Sequence, residues 1–112
     1  MRVQRVEDLE GELVLEGTRR RVLVHSENVM LVYYEIEPGA VFPAHSHPHE
    51  QMGFIFRGSG EFRAGGESRV LCAGSSYFIE PDETHEFEVL GDETCILIDI
   101  FHPPRRDYLP PR

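Results

Sequence analysis

An antiparallel all-β sandwich or barrel is the fold class this sequence predicts, on three observations. Short segments of alternating apolar and polar residues recur every eight to twelve positions. Gly, Pro, Asp or Asn separates them, supplying the backbone freedom and the fixed φ that turns need. No stretch of eleven or more residues keeps a 3.6-residue apolar repeat, and the best helix candidate, Val3 to Gly11, is short and stopped by glycine.

The elements follow in order. Strands are expected at ELVLE (12–16), RRVLVHS (20–26), VMLVYYEIE (29–37), QMGFIFRG (51–58), GEFRAGG (60–66), ESRVLCAG (67–74), SSYFIEP (75–81), HEFEVLG (85–91) and TCILIDIF (94–101). EPGA (37–40) turns the chain before a histidine-rich stretch, and RGSGE and AGGE read as hairpin loops. CAGSS, EPDETH and LGDET supply the later turns. The tail from about residue 102 to 112, HPPRRDYLPPR, is too rich in proline for a central strand. It is expected to lie across the outside or cap an opening, held by Tyr108 and Leu109.

At 112 residues the chain is expected to form one domain with one modest core. A hydrophobic fraction of 40% with 28% charged residues fits a soluble globular protein. No apolar run approaches the ~20 residues of a membrane helix, and MRVQRVEDLEGE lacks the apolar segment of a signal peptide. The expected location is therefore the cytoplasm. Cys72 and Cys95 lack metal-knuckle spacing and read as small buried hydrophobes. A net charge of −9 with no basic stripe argues against nucleic-acid or membrane partners, and leaves a small anionic ligand open if arginine is concentrated locally. All eleven basic residues are arginine, which removes Schiff-base and lysine general-base chemistry.

PAHSHPHEQ (43–51) places three of the six histidines within five positions. Residues two apart in an extended segment face the same way, so His45 and His47 can point inward together. Pro48 breaks that register, so His49 need not join them. Two imidazoles do not close a metal site. Gln51 and His85, each opening a strand, are the candidates to complete it. His25, His49 and His102 are assigned solvent-facing or structural roles.

These residues resemble the motifs of the cupin superfamily. The first motif, G(x)5HxH(x)3-4E(x)6G, matches Gly39, His45, His47, Gln51 and Gly58 in every spacing, with glutamine in the glutamate position. The second, G(x)5PxG(x)2H(x)3N, matches at Gly74 and His85, while Glu80, Asp82 and Val89 replace its proline, second glycine and asparagine. The resemblance implies a single-domain double-stranded β-helix, or jelly-roll barrel, binding one divalent transition metal ion: Zn, Ni, Fe, Mn or Co, which sequence does not separate. With neutral Gln51 the ion's charge is left uncompensated, which favours anionic substrates and Lewis-acid chemistry.

The last strand places Cys95, Leu97, Asp99 and Phe101 on one face and Ile96, Ile98 and Ile100 on the other. Isoleucine is the obvious core occupant, so the Asp99 face is either solvated or lines a cavity that holds a carboxylate. Arg105 either clamps a substrate carboxylate or, with Arg106, pairs with Asp107 or solvent.

HSHPHEQ together with Asp99, Phe101, Pro103, Arg105, Asp107, Tyr108 and Leu109 resembles the KdgF group of small cupins from pectin and alginate breakdown. That resemblance implies His45, His47, Gln51 and His85 as metal ligands and Asp99, Phe101 and Arg105 as the residues of turnover. It implies the linearisation of 4,5-unsaturated monouronates to an open-chain keto form. Some members carry a second polar residue two places after the ligand glutamine, where this chain has Gly53. Other readings are an iron-dependent dioxygenase and a non-catalytic module that binds a sugar or small acid. Exposed strand edges in a small β domain add the expectation of a homodimer.

Overall fold

A computed structural model describes residues 1–110; residues 111 and 112, the end of the anticipated tail, lie outside them. Among the described residues the strands are β1 (Glu12–Leu15), β2 (Thr18–His25), β3 (Met30–Ile36), β4 (Val41–His45), β5 (Glu50–Arg57), β6 (Ser59–Ala64), β7 (Glu67–Cys72), β8 (Ser76–Ile79), β9 (His85–Leu90) and β10 (Cys95–His102). They pair into a larger sheet ordered β1-β2-β3-β10-β5-β8 and a smaller one ordered β4-β9-β6-β7. Every pairing is antiparallel, and the two sheets form a jelly roll. The helix candidate near the N-terminus is a single 3-10 turn, Val6–Asp8.

Period-two alternation fixes which side chains meet between the sheets. On β3 it buries Met30, Val32, Tyr34 and Ile36, and the facing sheet contributes Phe87 and Val89 from β9. Each such side chain stabilises the fold by roughly 1.5–3 kcal/mol when withdrawn from water. β10 runs centrally between β3 and β5, placing Asp99 opposite Val32 on one side and Gly53 on the other.

Four sequence expectations are corrected. β4 was not anticipated as a strand, because Pro43 interrupts its alternation; it is paired to β9 all the same. The isoleucines of β10 are not the core: Ile96 and Ile98 are half-buried and Ile100 is exposed, while Cys95, Leu97, Asp99 and Phe101 face inward. Cys95 is buried as expected, but Cys72 is exposed, since it ends β7 at the open edge of the smaller sheet.

RGSGE is not a hairpin loop. It carries the chain from β5 in one sheet to β6 in the other, whereas AGGE does close a hairpin, with Ala64 opposite Glu67. Gly58 makes that corner: its φ is +80°, and a Cβ there would lie 2.9 Å from the Cys95 Cα and the Thr94 carbonyl oxygen. β10 continues through His102, so the tail leaves the sheet at Pro103 and forms a short 3-10 turn at Arg106–Tyr108.

Gly58→Ala is therefore expected to destabilise the protein by about 1–3 kcal/mol through left-handed backbone strain and a clash that backbone atoms cannot relieve. Urea denaturation checks this, and a loss below about 0.5 kcal/mol would contradict the assignment of Gly58 as the obligatory corner.

Candidate metal centre

Strand register brings the first two imidazoles together, because β4 and β9 place His45 directly opposite His85. The ring centroids are 4.3 Å apart, and the His47 ring lies 5.7 Å from His45 and 5.0 Å from His85. One ring nitrogen from each of the three falls within 4.8 Å of the others. His45 stands exposed at the mouth, while His47, Gln51 and His85 are buried.

Hydrogen bonding leaves the right nitrogens free. His45 Nδ1 lies 2.8 Å from the Pro43 carbonyl oxygen, and His85 Nδ1 lies 2.8 Å from that of Glu83. A carbonyl can only accept, so each Nδ1–H donates and each Nε2 keeps its lone pair. His85 Nε2 is buried with no hydrogen-bond partner. An orphaned buried polar atom costs about 1–3 kcal/mol, and a cation at this position would remove that cost. His47 Nε2 lies 2.9 Å from Gln51 Oε1, so Nε2–H donates to the amide oxygen and Nδ1 is the nitrogen left without a partner; a cation shared by Nε2 and Oε1 would take the place of that proton.

Burial keeps the His47 and His85 rings neutral. Burial, reinforced by the nearby charges of Arg105 and His85, lowers the His47 pKa to about 4, against 6.5 for a free imidazole. His85 is lowered as well, chiefly by burial. Neutral imidazole is the form that ligates a metal. The donor set of three imidazoles and one amide oxygen fits a borderline divalent ion.

Asp99 belongs to the same cavity. Burial raises its pKa to about 7, against the opposing pull of hydrogen bonds from Tyr77 and Gln51 and the charge of Arg105. The Tyr77 hydroxyl donates to Asp99 Oδ1 at 2.5 Å. Phe101 is buried and presents its ring to His47, with centroids 5.7 Å apart. His49, assigned a structural role, is half-buried against Phe101 and His47.

The tail closes the opening. Tyr108 is held between two guanidinium groups, with Arg20 at 3.6 Å and Arg105 at 4.2 Å from its ring centre. Arg105 lines the cavity and pairs with Asp107 through two hydrogen bonds of 3.2 and 3.1 Å. The cavity, open at the His45 side, has a volume of about 90 Å³.

Six of the seven anticipated site residues therefore line one cavity, and the seventh, His47, packs against three of them, His45, His85 and Phe101. Tyr77 was not anticipated. Its only trace in the sequence is an aromatic residue in a short strand, beside a glycine in the interior of another.

Comparison with known proteins agrees with this fold. Residues 32–101 match the cupin domain family, and the chain belongs to that family. It is 34% identical over 95 residues to the pectin degradation protein KdgF of Dickeya dadantii, covering 84% of this chain and 86% of that protein. The structure of KdgF from Halomonas sp. superposes with a TM-score of 0.90 at 27% identity, covering 97% of this chain and 99% of that one. An RmlC-like cupin from Shewanella frigidimarina superposes with a TM-score of 0.90 at 29% identity, covering 97% and 96%.

Two outcomes follow for the isolated protein. A divalent first-row ion supplied at about a hundred times its dissociation constant should raise the unfolding free energy by about 2.7 kcal/mol. His85→Ala should abolish this stabilisation and His49→Ala should retain it, as thermal denaturation with and without chelator would show. In chelator, the neutral His47 ring contributes stability that is fully present above pH 6.5 and lost as pH falls toward about 4. The unfolding free energy of the wild type should drop more steeply across that window than that of His47→Gln, and equal slopes would contradict the assignment.

Proposed function

We propose that this cupin linearises 4,5-unsaturated monouronates to their open-chain keto form, in the catabolism of uronates from pectin or alginate. The observation that carries the reading is a buried carboxylate, Asp99, whose pKa of about 7 lets it hold or release a proton near neutrality, in one cavity with a three-histidine cluster and Arg105. The similarity to a pectin degradation protein supports it.

The reaction is an isomerisation. The anomeric hydroxyl loses a proton, the bond between carbon 1 and the ring oxygen breaks, and carbon 4 gains a proton as the enol becomes a ketone. No oxidant, reductant or water is consumed. Asp99 accepts the hydroxyl proton and returns it to carbon, and a carboxyl with a pKa close to ambient pH is suited to both directions. Arg105 exchanges its exposed partner Asp107 for the substrate carboxylate, a bidentate match for its planar fork. The Phe101 ring offers the sugar an apolar face, and the tail turn around Tyr108 limits water in the cavity.

His45, His47, Gln51 and His85 would hold the divalent ion, which when bound supplies Lewis acidity toward a sugar oxygen. A neutral Gln51 leaves that acidity undiminished, where glutamate would offset it.

The proposal includes one domain with one site, a small anionic substrate rather than nucleic acid or membrane, and a cytoplasmic location. No helix among the described residues is long and apolar enough to cross a membrane. It also includes a homodimer. The outward face of β5, β8 and β10 exposes Met52, Phe54, Phe56, Phe78 and Ile100, a surface that a second copy would cover.

With unsaturated monogalacturonate and metal-loaded protein, the enol-ether absorbance should disappear faster than in buffer. Asp99→Asn should lower kcat by about a hundredfold or more, and Arg105→Ala should act mainly by raising KM. Wild type and both variants all matching the spontaneous rate would refute the reading.

A further inference from the structure

Gly53 lies at the centre of a lateral row across three strands. On β10 its partner is Asp99, and on β8 its partner is Tyr77. Neighbouring strands are about 4.8 Å apart, so Tyr77 and Asp99 are two strands removed, and a side chain must cross β5 to join them. The Tyr77 ring does so: a Cβ built on Gly53 would lie 2.2 Å from both the Tyr77 Cζ and its hydroxyl oxygen. The phenol occupies the space of the missing side chain, and its hydroxyl ends on Asp99 Oδ1. Phe62 backs the ring from the facing sheet, with centroids 4.6 Å apart.

We propose that Tyr77 is the positioning residue for Asp99, and that residue 53 is glycine because the Tyr77 side chain must pass over it. A polar group that a side chain at position 53 would supply from β5 is instead supplied from β8. The hydroxyl fixes the orientation of the carboxylate in the cavity, since Oδ1 accepts from Tyr77 while Gln51 donates to the same carboxyl group. Asp99 is the group that touches substrate, and Tyr77 acts through it. The kinetic part of this inference rests on the ring-opening reading, while the Gly53–Tyr77–Asp99 connection does not.

The connection has its own observable. A hydroxyl proton shielded from water and donated to a carboxylate exchanges slowly and gives a separate downfield proton NMR resonance. The wild type should show it, Tyr77→Phe should lose it while keeping the ring, and Gly53→Ala should lose it because the added methyl displaces the phenol. In the ring-opening assay Tyr77→Phe should lower kcat about ten- to a hundredfold, the scale of a misplaced reacting group. KM and metal content should stay within about twofold, a split that general loosening of the fold would not produce. The double variant Gly53→Ala/Tyr77→Phe should be no slower than Gly53→Ala, since both changes remove the same interaction.

A resonance that persists in Gly53→Ala, or a Tyr77→Phe kcat within about twofold of wild type, would overturn the inference. A wild type that shows the resonance and opens no sugar ring would refute the ring-opening reading and the kinetic role together. In that case loss of the resonance in Gly53→Ala would still establish the connection across β5, and its persistence would refute that as well.

Discussion

A buried nitrogen that the fold leaves bare, His85 Nε2, is the constraint from which the rest of the site follows. Proteins pair nearly all their buried polar atoms, and this one has no partner within the fold. The Glu83 carbonyl holds Nδ1, and the cross-strand partner His45 is held in the same way by the carbonyl of Pro43. Both carbonyls lie two residues before their histidine, so backbone geometry rather than a distant side chain fixes the two tautomers. Such orientation by an outer hydrogen bond is characteristic of imidazoles that ligate metals. The jelly roll contributes the antiparallel register that puts the two residues opposite each other.

Charge is distributed to match. The chain as a whole carries −9, yet the cavity brings together three imidazoles and a guanidinium, with one carboxyl whose pKa burial raises to about 7. An acidic exterior around a locally cationic pocket disfavours polyanions at long range while accepting a single small carboxylate at short range. Tail and cavity are coupled through Arg105, which touches Phe101, Tyr108 and Asp107 at once. A ligand that drew the guanidinium away from Asp107 would thereby act on the segment that closes the opening.

Much of this was legible in the chain, because two periodicities and a spacing carry it. Alternation marked nine of the strands, and the match of Gly39, His45, His47, Gln51 and Gly58 to the first cupin motif marked the fold and the cluster. Three kinds of information were not legible. Pro43 hid β4, since a proline in an alternating run reads as a break. β10 presented its isoleucine face as the more apolar one, and only the opposite sheet decides that Asp99 and not Ile98 points inward. Tyr77 was invisible because its partners come from strands far apart in sequence, brought side by side by the order β10-β5-β8. Gly53, which from the sequence is a missing polar group, is in the structure the gap through which another residue reaches the same carboxylate.

The central claim is that His45, His47, Gln51 and His85 together hold one divalent ion. Anomalous diffraction from crystals of metal-loaded protein, recorded on either side of the metal's absorption edge, tests it most directly. The account predicts one peak per chain, at about 2.0–2.2 Å from the Nε2 atoms of all three histidines and with the Gln51 carbonyl oxygen turned toward it. A peak elsewhere on the molecule, or a peak bound through His45 alone at the exposed mouth, would contradict it.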